Sequence, residues 1–276
     1  MSILTDFSPP ALADAVETNI NAQIPLMYAH MPGVEIIDEP DLLGMMNALP
    51  DLRLNSIYWA GFPREPEQVE ARIDQVLGRY RAHGHPPMTW VVSPSTQPRD
   101  LGCYLEARGF ICAFRGGPGM ALDLGALVEP QTTPATLYIE RVGDLQTLRQ
   151  WLHPVAVSFN FQDAVVSAHL QMFSSQGFGL AGAGGPGVPW QLFVGLDEAE
   201  PVAASRLFCA AGVAGIYHVA TVPEARGQGF GTAMTLAAIR AGRDLGYRVG
   251  VLTASGEGYG IYHRLGFRKV TQADIY

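Results

Sequence analysis

The stretch Val219-Ala220-Thr221-Val222-Pro223-Glu224-Ala225-Arg226-Gly227-Gln228-Gly229-Phe230-Gly231-Thr232 places three alternate glycines between an apolar run and a helical pattern. An extended run that ends in a glycine turn and opens at once into a helix brings several unpaired backbone N–H groups to one spot, where a phosphate can sit. The glycines let the main chain itself reach the anion. A Cβ at Gly227, Gly229 or Gly231 can hold the chain away from a pyrophosphate, and such turns use φ values that only glycine takes cheaply. The chemistry on offer is anion binding by the backbone, with the Arg226 cation beside it and Thr232 placed to cap or accompany the first helical turn.

The elements that must hold this loop are legible around it. Leu207 to Pro223 reads as two buried strands about the turn Ala210-Ala211-Gly212-Val213-Ala214-Gly215. Behind the loop Met234, Ala237, Ala238, Ala241 and Leu245 recur as the stripe of a helix packed on a sheet, and Gly246 stops it. Val249 to Ser255 follows as a buried strand.

A nucleotide P-loop requires Lys and then Ser or Thr after its last glycine, and Phe230-Gly231-Thr232 supplies no lysine. A dinucleotide fingerprint belongs near the start of a βαβ domain, whereas only about forty-five residues follow Gly231. The pattern that remains is Arg or Gln, two residues, Gly, one residue, then Gly or Ala, and Arg226, Gly229 and Gly231 fit it. At these residues the chain resembles the GNAT superfamily of acyl-CoA N-acyltransferases, whose pyrophosphate loop carries that pattern. A second segment agrees: Tyr262, Leu265, Gly266 and Phe267 match in order and spacing the family's short helix with Leu-Tyr and its Leu-Gly-Phe lead into the last strands. Ser255 stands where the family usually has Asn. The resemblance covers roughly residues 135 to 276.

The resemblance implies an α/β fold with a mixed central sheet flanked by helices, and acetyl-CoA as co-substrate without a metal. The expected activity is direct transfer of acetyl to the primary amine of a small molecule. Rivals are another acyl group, a hydroxyl acceptor, or an acyl-CoA sensor without turnover. Val219, Ala220 and Thr221 occupy the family's splayed strand, expected to pair with the pantetheine arm and polarise the thioester oxygen. Arg226, Gly227, Gln228, Gly229, Phe230, Gly231 and Thr232 would cradle the pyrophosphate, with Ser255 as a shortened further contact, and Tyr262 would protonate the departing thiolate. The base is drawn from His218, Glu257, Glu224 or an ordered water, since a lone histidine can titrate near neutral pH but also serves as a core residue. Phe159, Asn160 and Phe161 lie where the family's acceptor-site helices are, so they line the pocket or, for Asn160, cap a helix. Gly177 to Gly187 reads as a connection rather than a second phosphate loop.

Composition narrows the setting. A net charge of −8 disfavours nucleic acid or an anionic membrane as partner. Cys103, Cys112 and Cys209 form no metal-like cluster or disulfide framework, and the start lacks a basic region followed by an apolar core, so the expected compartment is the cytoplasm. Pro and Thr accumulate from Leu127 to Ala135, which predicts two domains, 1–130 and 131–276.

The halves echo each other. Leu101-Gly102-Cys103-Tyr104-Leu105-Glu106-Ala107-Arg108-Gly109-Phe110 parallels Tyr259 to Phe267, and each follows a strand-like run ending in serine. Val69, Ile73, Val76, Leu77 and Tyr80 predict a helix before the first of these strands. Ahead of that helix Phe62-Pro63-Arg64-Glu65-Pro66-Glu67 has no glycine run and carries two acids where an anion would sit. The first half is therefore expected to be a degenerate GNAT-like copy that binds no CoA.

Overall fold

A computed structural model describes residues 2–84, 87–130, 134–178 and 188–276. It divides into two compact units: one comprises the residues up to Ile20 with Gly119–Val270, the other Asn21–Pro118 with Thr271–Tyr276. The division differs from a single cut at residue 130. Within the expected linker, Leu127 packs on the core of the larger unit, and Glu129 pairs with Arg240 at 2.5 Å and Arg243 at 3.7 Å.

The first elements are α1 (Pro9–Leu26), β1 (Val34–Glu39), β2 (Leu42–Asn47) and β3 (Ser56–Ala60). Next come α2 (Pro66–Ala82), β4 (Thr89–Val92), α3 (Leu101–Glu106) and β5 (Phe114–Asp123). In the smaller unit β1, β2 and β3 form an antiparallel meander, β4 runs parallel to β3, and the chain end at Asp274 and Ile275 pairs with Val92 and Val91. Val69, Ile73, Val76 and Tyr80 of α2 are buried at helical spacing against this sheet, around a fully buried Trp90. The Tyr80 hydroxyl donates to the Met45 carbonyl at 2.8 Å, and burial pushes its pKa above the ordinary phenol range.

The larger unit continues with β6 (Leu137–Arg141), α4 (Leu145–Phe159), α5 (Asp163–Gln176) and β7 (Trp190–Asp197). Then follow β8 (Glu200–Ala210), β9 (Val213–Thr221), α6 (Phe230–Asp244), β10 (Val249–Thr253), α7 (Gly256–Arg264) and β11 (Arg268–Ile275). Its sheet runs β5-β10-β9-β8-β7-β6, all antiparallel except β9 with β10. The turn between β8 and β9 is tighter than expected, only Ala211 and Gly212, both at positive φ as a two-residue hairpin requires.

α4 opens on a capping box in which the Asp144 carboxylate accepts the Thr147 N–H at 2.8 Å, and this holds the carboxyl below its usual pKa. The expected stripe of α6 packs on the core at Met234, Ala237, Ala238 and Ala241, joined by buried Leu236 and Ile239, while Leu245, the C-cap, is 42% exposed. Burying each of the large side chains contributes about 1.5–3 kcal/mol. Gly242 lets α6 approach β9, because a Cβ there would lie 2.7 Å from the Ala214 Cβ. Gly246 at φ +88° ends the helix with the Tyr247 N–H on the Gly242 carbonyl, 3.1 Å. Of the segment expected as a connection, Gly177 closes α5 at φ +77°, and residues 179–187 lie outside those described.

Candidate active site

The site originates in a defect of the sheet. Ala204 pairs with Ala220 and Arg206 with Tyr217, so His218 and Val219 together oppose Ser205 alone, with His218 at φ +48°. Such a bulge bends its strand. Ser205 is held from two sides: its carbonyl accepts the Trp151 indole N–H of α4 at 2.9 Å, and its hydroxyl donates to the Met234 carbonyl of α6 at 2.8 Å. β9 parts from β10 ahead of the bulge, their parallel pairing being confined to Ala214 with Gly250 and Gly215 with Val251.

The wedge so opened is a cavity of about 690 Å³. Val219, Ala220 and Thr221 line one side, Ser255 to Gly258 with Ile261 and Tyr262 the other, and Arg226, Gly227, Gly229, Phe230, Gly231 and Thr232 close one end. Phe159 and Ser158 stand at the wall that α4 contributes, where the Ser158 hydroxyl donates to the Thr221 carbonyl at 3.2 Å.

At the loop end, Gly227 and Gly229 take φ +77° and +84°, values costly to any residue with a Cβ. Gly229 is the N-cap of α6, and the first intrahelical bond runs from Ala233 N–H to Gly229 O at 3.0 Å. The N–H groups of Phe230, Gly231 and Thr232 therefore lack an intrahelical acceptor, at the positive end of a fifteen-residue helix whose first turn holds no acid. Thr232 is inside the helix, not its cap. Gly231 has room for a side chain, since a Cβ there would sit 3.6 Å from the Thr221 hydroxyl and 3.9 Å from Ile261. Arg226 is half exposed, its Nε donating to the Thr221 carbonyl at 3.3 Å and a guanidinium nitrogen 3.8 Å from Glu257.

Tyr262 is 9% exposed, and burial pushes its phenol up to about 12, so it stays protonated at neutral pH. Its ring leans edge-on against Phe267 at 6.1 Å and leaves no space for a Cβ at Gly258, which would come within 2.8 Å of it. Ser255 caps α7: its hydroxyl oxygen accepts the Gly258 N–H at 3.1 Å while its own proton remains available to the cavity it lines.

Four expected residues stand apart from this cavity wall. His218 packs edge-on between Trp151 at 5.5 Å and Phe159 at 5.8 Å, behind the lining. Asn160 ends α4 in the left-handed conformation at φ +51°, the capping alternative read from sequence. Phe161 stacks on buried His169 at 4.7 Å and meets Phe159 at 6.1 Å. Gln228 faces a separate hollow with Pro130, Pro134 and Thr232. Conversely, Ser158, Gly258 and Arg264 line the cavity unannounced by any motif. Gly258 was readable as the glycine one turn before Tyr262; Ser158 and Arg264 carry no such mark.

In the smaller unit the corresponding wedge is shut. β3 and β4 pair in parallel at Ser56 with Thr89 and Ile57 with Trp90, then the chain turns at Ser93–Thr96 and returns alongside β3. Gln97 N–H donates to Ala60 O at 2.9 Å and Phe62 N–H to Gln97 O at 3.0 Å. α2 begins with Glu65 as N-cap and Pro66, which has no N–H, while Gln68 and Val69 both bond back to Glu65 O.

A glycine cradle at a helix start, a split parallel strand pair and a buried phenol around one cavity define an acyltransferase domain. Residues 189–269 match the model of the acetyltransferase (GNAT) domain, and this part of the chain is a GNAT domain. The whole chain has the fold of a GCN5-related N-acetyltransferase from Kribbella flavida, with TM-score 0.68, 18% identity, and 95% of this chain and 93% of that one covered. A tandem GNAT protein from the clavulanic acid biosynthesis pathway is similar at TM-score 0.61 and 13% identity, covering 100% of this chain and 95% of that one. A GCN5-related N-acetyltransferase from Sphaerobacter thermophilus superposes with TM-score 0.61 and 14% identity over 99% and 93% of the two chains. No curated protein sequence matches the chain.

Proposed function

We propose that the larger unit transfers acetyl from acetyl-CoA directly to a primary amine of a small molecule, and that the smaller unit binds no CoA. The observation that carries this reading is a single cavity bounded by three helix N–H donors, by the β9 edge that β10 abandons, and by a buried phenol. The loop amides of residues 227–232 would hold the diphosphate, with Arg226 adding charge at the mouth. The backbone of Val219, Ala220 and Thr221 would pair with the pantetheine amides as an added strand and polarise the thioester oxygen.

In the reaction the amine nitrogen adds to the thioester carbonyl carbon, a C–N bond forms and the C–S bond breaks. The ammonium loses one proton to water before attack, Tyr262 donates its phenolic proton to the departing sulfur to give the free thiol, and the second proton shed by the nitrogen as the amide forms returns through solvent to the phenolate. Burial suits Tyr262 to this role by keeping the proton on the oxygen throughout the neutral range. His218, packed behind the wall, orients Phe159 rather than meeting the amine. The free thiols Cys103, Cys112 and Cys209 suit a reducing cytoplasm, which we take as the compartment.

Calorimetry with acetyl-CoA, followed by free-thiol release against small amines, tests the reading. Saturable heat and amine-dependent thiol are expected. Absence of heat with any CoA thioester would sink it.

A further inference from the structure

The side of the cavity formed by α4 and β9 has a composition of its own. It is built from the last turn of α4 and from β9, and neither element contains a single Asp or Glu. Phe159 is 37% exposed although it belongs to a cluster of rings. Phe161 lies 6.1 Å from it at a tilt of 32°, His218 meets it edge-on at 5.8 Å, and His169 stacks behind Phe161 at 4.7 Å. The rings support one another, and the exposed part of Phe159 belongs to the cavity lining.

Among the described residues that line the cavity, the sole carboxylate is Glu257. It sits in the first turn of α7, 86% exposed and 3.8 Å from Arg226, on the cofactor side. Asp163 at the start of α5 and Glu224 before the loop are exposed and do not line the cavity. Arg264 adds a further positive charge to the lining.

A multiply charged amine, such as a polyamine or an aminoglycoside, carries ammonium groups that must be paired with carboxylates once they leave water. This wall offers none. An aromatic body, by contrast, can lie against Phe159 in offset or edge-on geometry. A single ammonium entering such a wall is also driven toward its neutral form, because burial disfavours the charge. The apolar surroundings thereby assist the loss of the proton that must precede attack.

Building on the acetyltransferase reading above, we propose that the acceptor is a monoamine carried on an aromatic body, and that Phe159 determines this specificity. The test uses free-thiol release at saturating acetyl-CoA with 2-phenylethylamine, spermidine, kanamycin and glycine as acceptors. The value of kcat/KM for 2-phenylethylamine is expected to exceed that for each of the others at least tenfold. Phe159→Ala should raise the KM for 2-phenylethylamine about tenfold with little change in kcat, and Phe159→Tyr should restore it. Acetyl-CoA affinity should be the same in all three proteins, which separates a lost acceptor contact from a misfolded chain.

A preference for spermidine or kanamycin, or an unchanged KM in a folded Phe159→Ala protein, overturns the inference while the acetyltransferase reading stands. So does acetyl-CoA binding with no turnover of the aromatic amine. Failure to bind acetyl-CoA at all overturns the parent reading instead.

Discussion

Two parallel strand pairs in this chain begin alike and end differently. β9 and β10 in the larger unit pair at two positions and then part, as do β3 and β4 in the smaller one. In the larger unit only Ala254 and Ser255 separate β10 from α7, so the helix starts at once and the wedge stays open. In the smaller unit eight residues separate β4 from α3, enough for the chain to loop out at Ser93–Thr96 and resume its parallel course at Gln97 beside Gly61, bonding to Ala60 and Phe62. The helices that follow the two inner strands differ in the same sense. α6 leaves three N–H groups without intrahelical acceptors behind glycines, whereas α2 starts on Pro66 between two glutamates. The two units thus differ here in backbone hydrogen bonds, with the surrounding helix and strand order unchanged.

The sharpest way to break this contrast is stoichiometry. Titration of the whole chain with acetyl-CoA is expected to saturate at one molecule per chain, and two sites would show that the shut wedge can open. Next in size, Tyr262→Phe should lower kcat about 100- to 10,000-fold with acetyl-CoA affinity unchanged, read by single-turnover kinetics beside calorimetry. Equal turnover would remove the phenol from the chemistry. Gly231→Glu fits the space beside Thr221 and Ile261, so it should fold normally yet weaken acetyl-CoA binding about a hundredfold by setting a carboxylate at the helix start. Unaltered affinity there would make the loop a mere turn.

Smaller effects refine the picture. Because burial holds Tyr262 near 12, its protonated form is complete at neutral pH and is lost only as pH rises through that value. The rate should accordingly climb with pH as the amine deprotonates and show no falling limb up to about pH 10. A descending limb below pH 10 that disappears in Tyr262→Phe would contradict the buried acid. Arg226→Ala should cost only about two- to fivefold in acetyl-CoA affinity at low salt and less at high salt, since the side chain is half exposed.

Much of this was legible in residue order. The glycine alternation from Gly227 to Gly231, the strands on either side and Tyr262 followed by Leu265-Gly266-Phe267 could be read directly, because each is a local conformational demand. The contrast between the two helix starts was legible too, in the missing glycine run and the two acids Glu65 and Glu67. The longer loop is also a matter of length: seventeen residues run from Ser93 to Gly109 against twelve from Ser255 to Gly266. The stripe of α6 was misjudged at Leu245, which is the exposed C-cap rather than part of the packed face. The division into compact units also differs from a single cut at 130, as Pro and Thr mark irregular backbone without saying whether it is packed, and Glu129 pairs with Arg240 and Arg243.

Residue order alone determined the cradle, the helix it opens and the phenol that follows, all of which depend on dihedral preferences and spacing within a few residues. The tertiary structure decided that Ser205, held between Trp151 and Met234, opposes two residues of β9, and that β9 parts from β10 ahead of them. It also withdrew His218 behind Phe159 and turned Ser158 and Arg264 into the cavity. Those outcomes rest on hydrogen bonds and ring contacts between segments tens of residues apart, and no local pattern encodes which of them will meet.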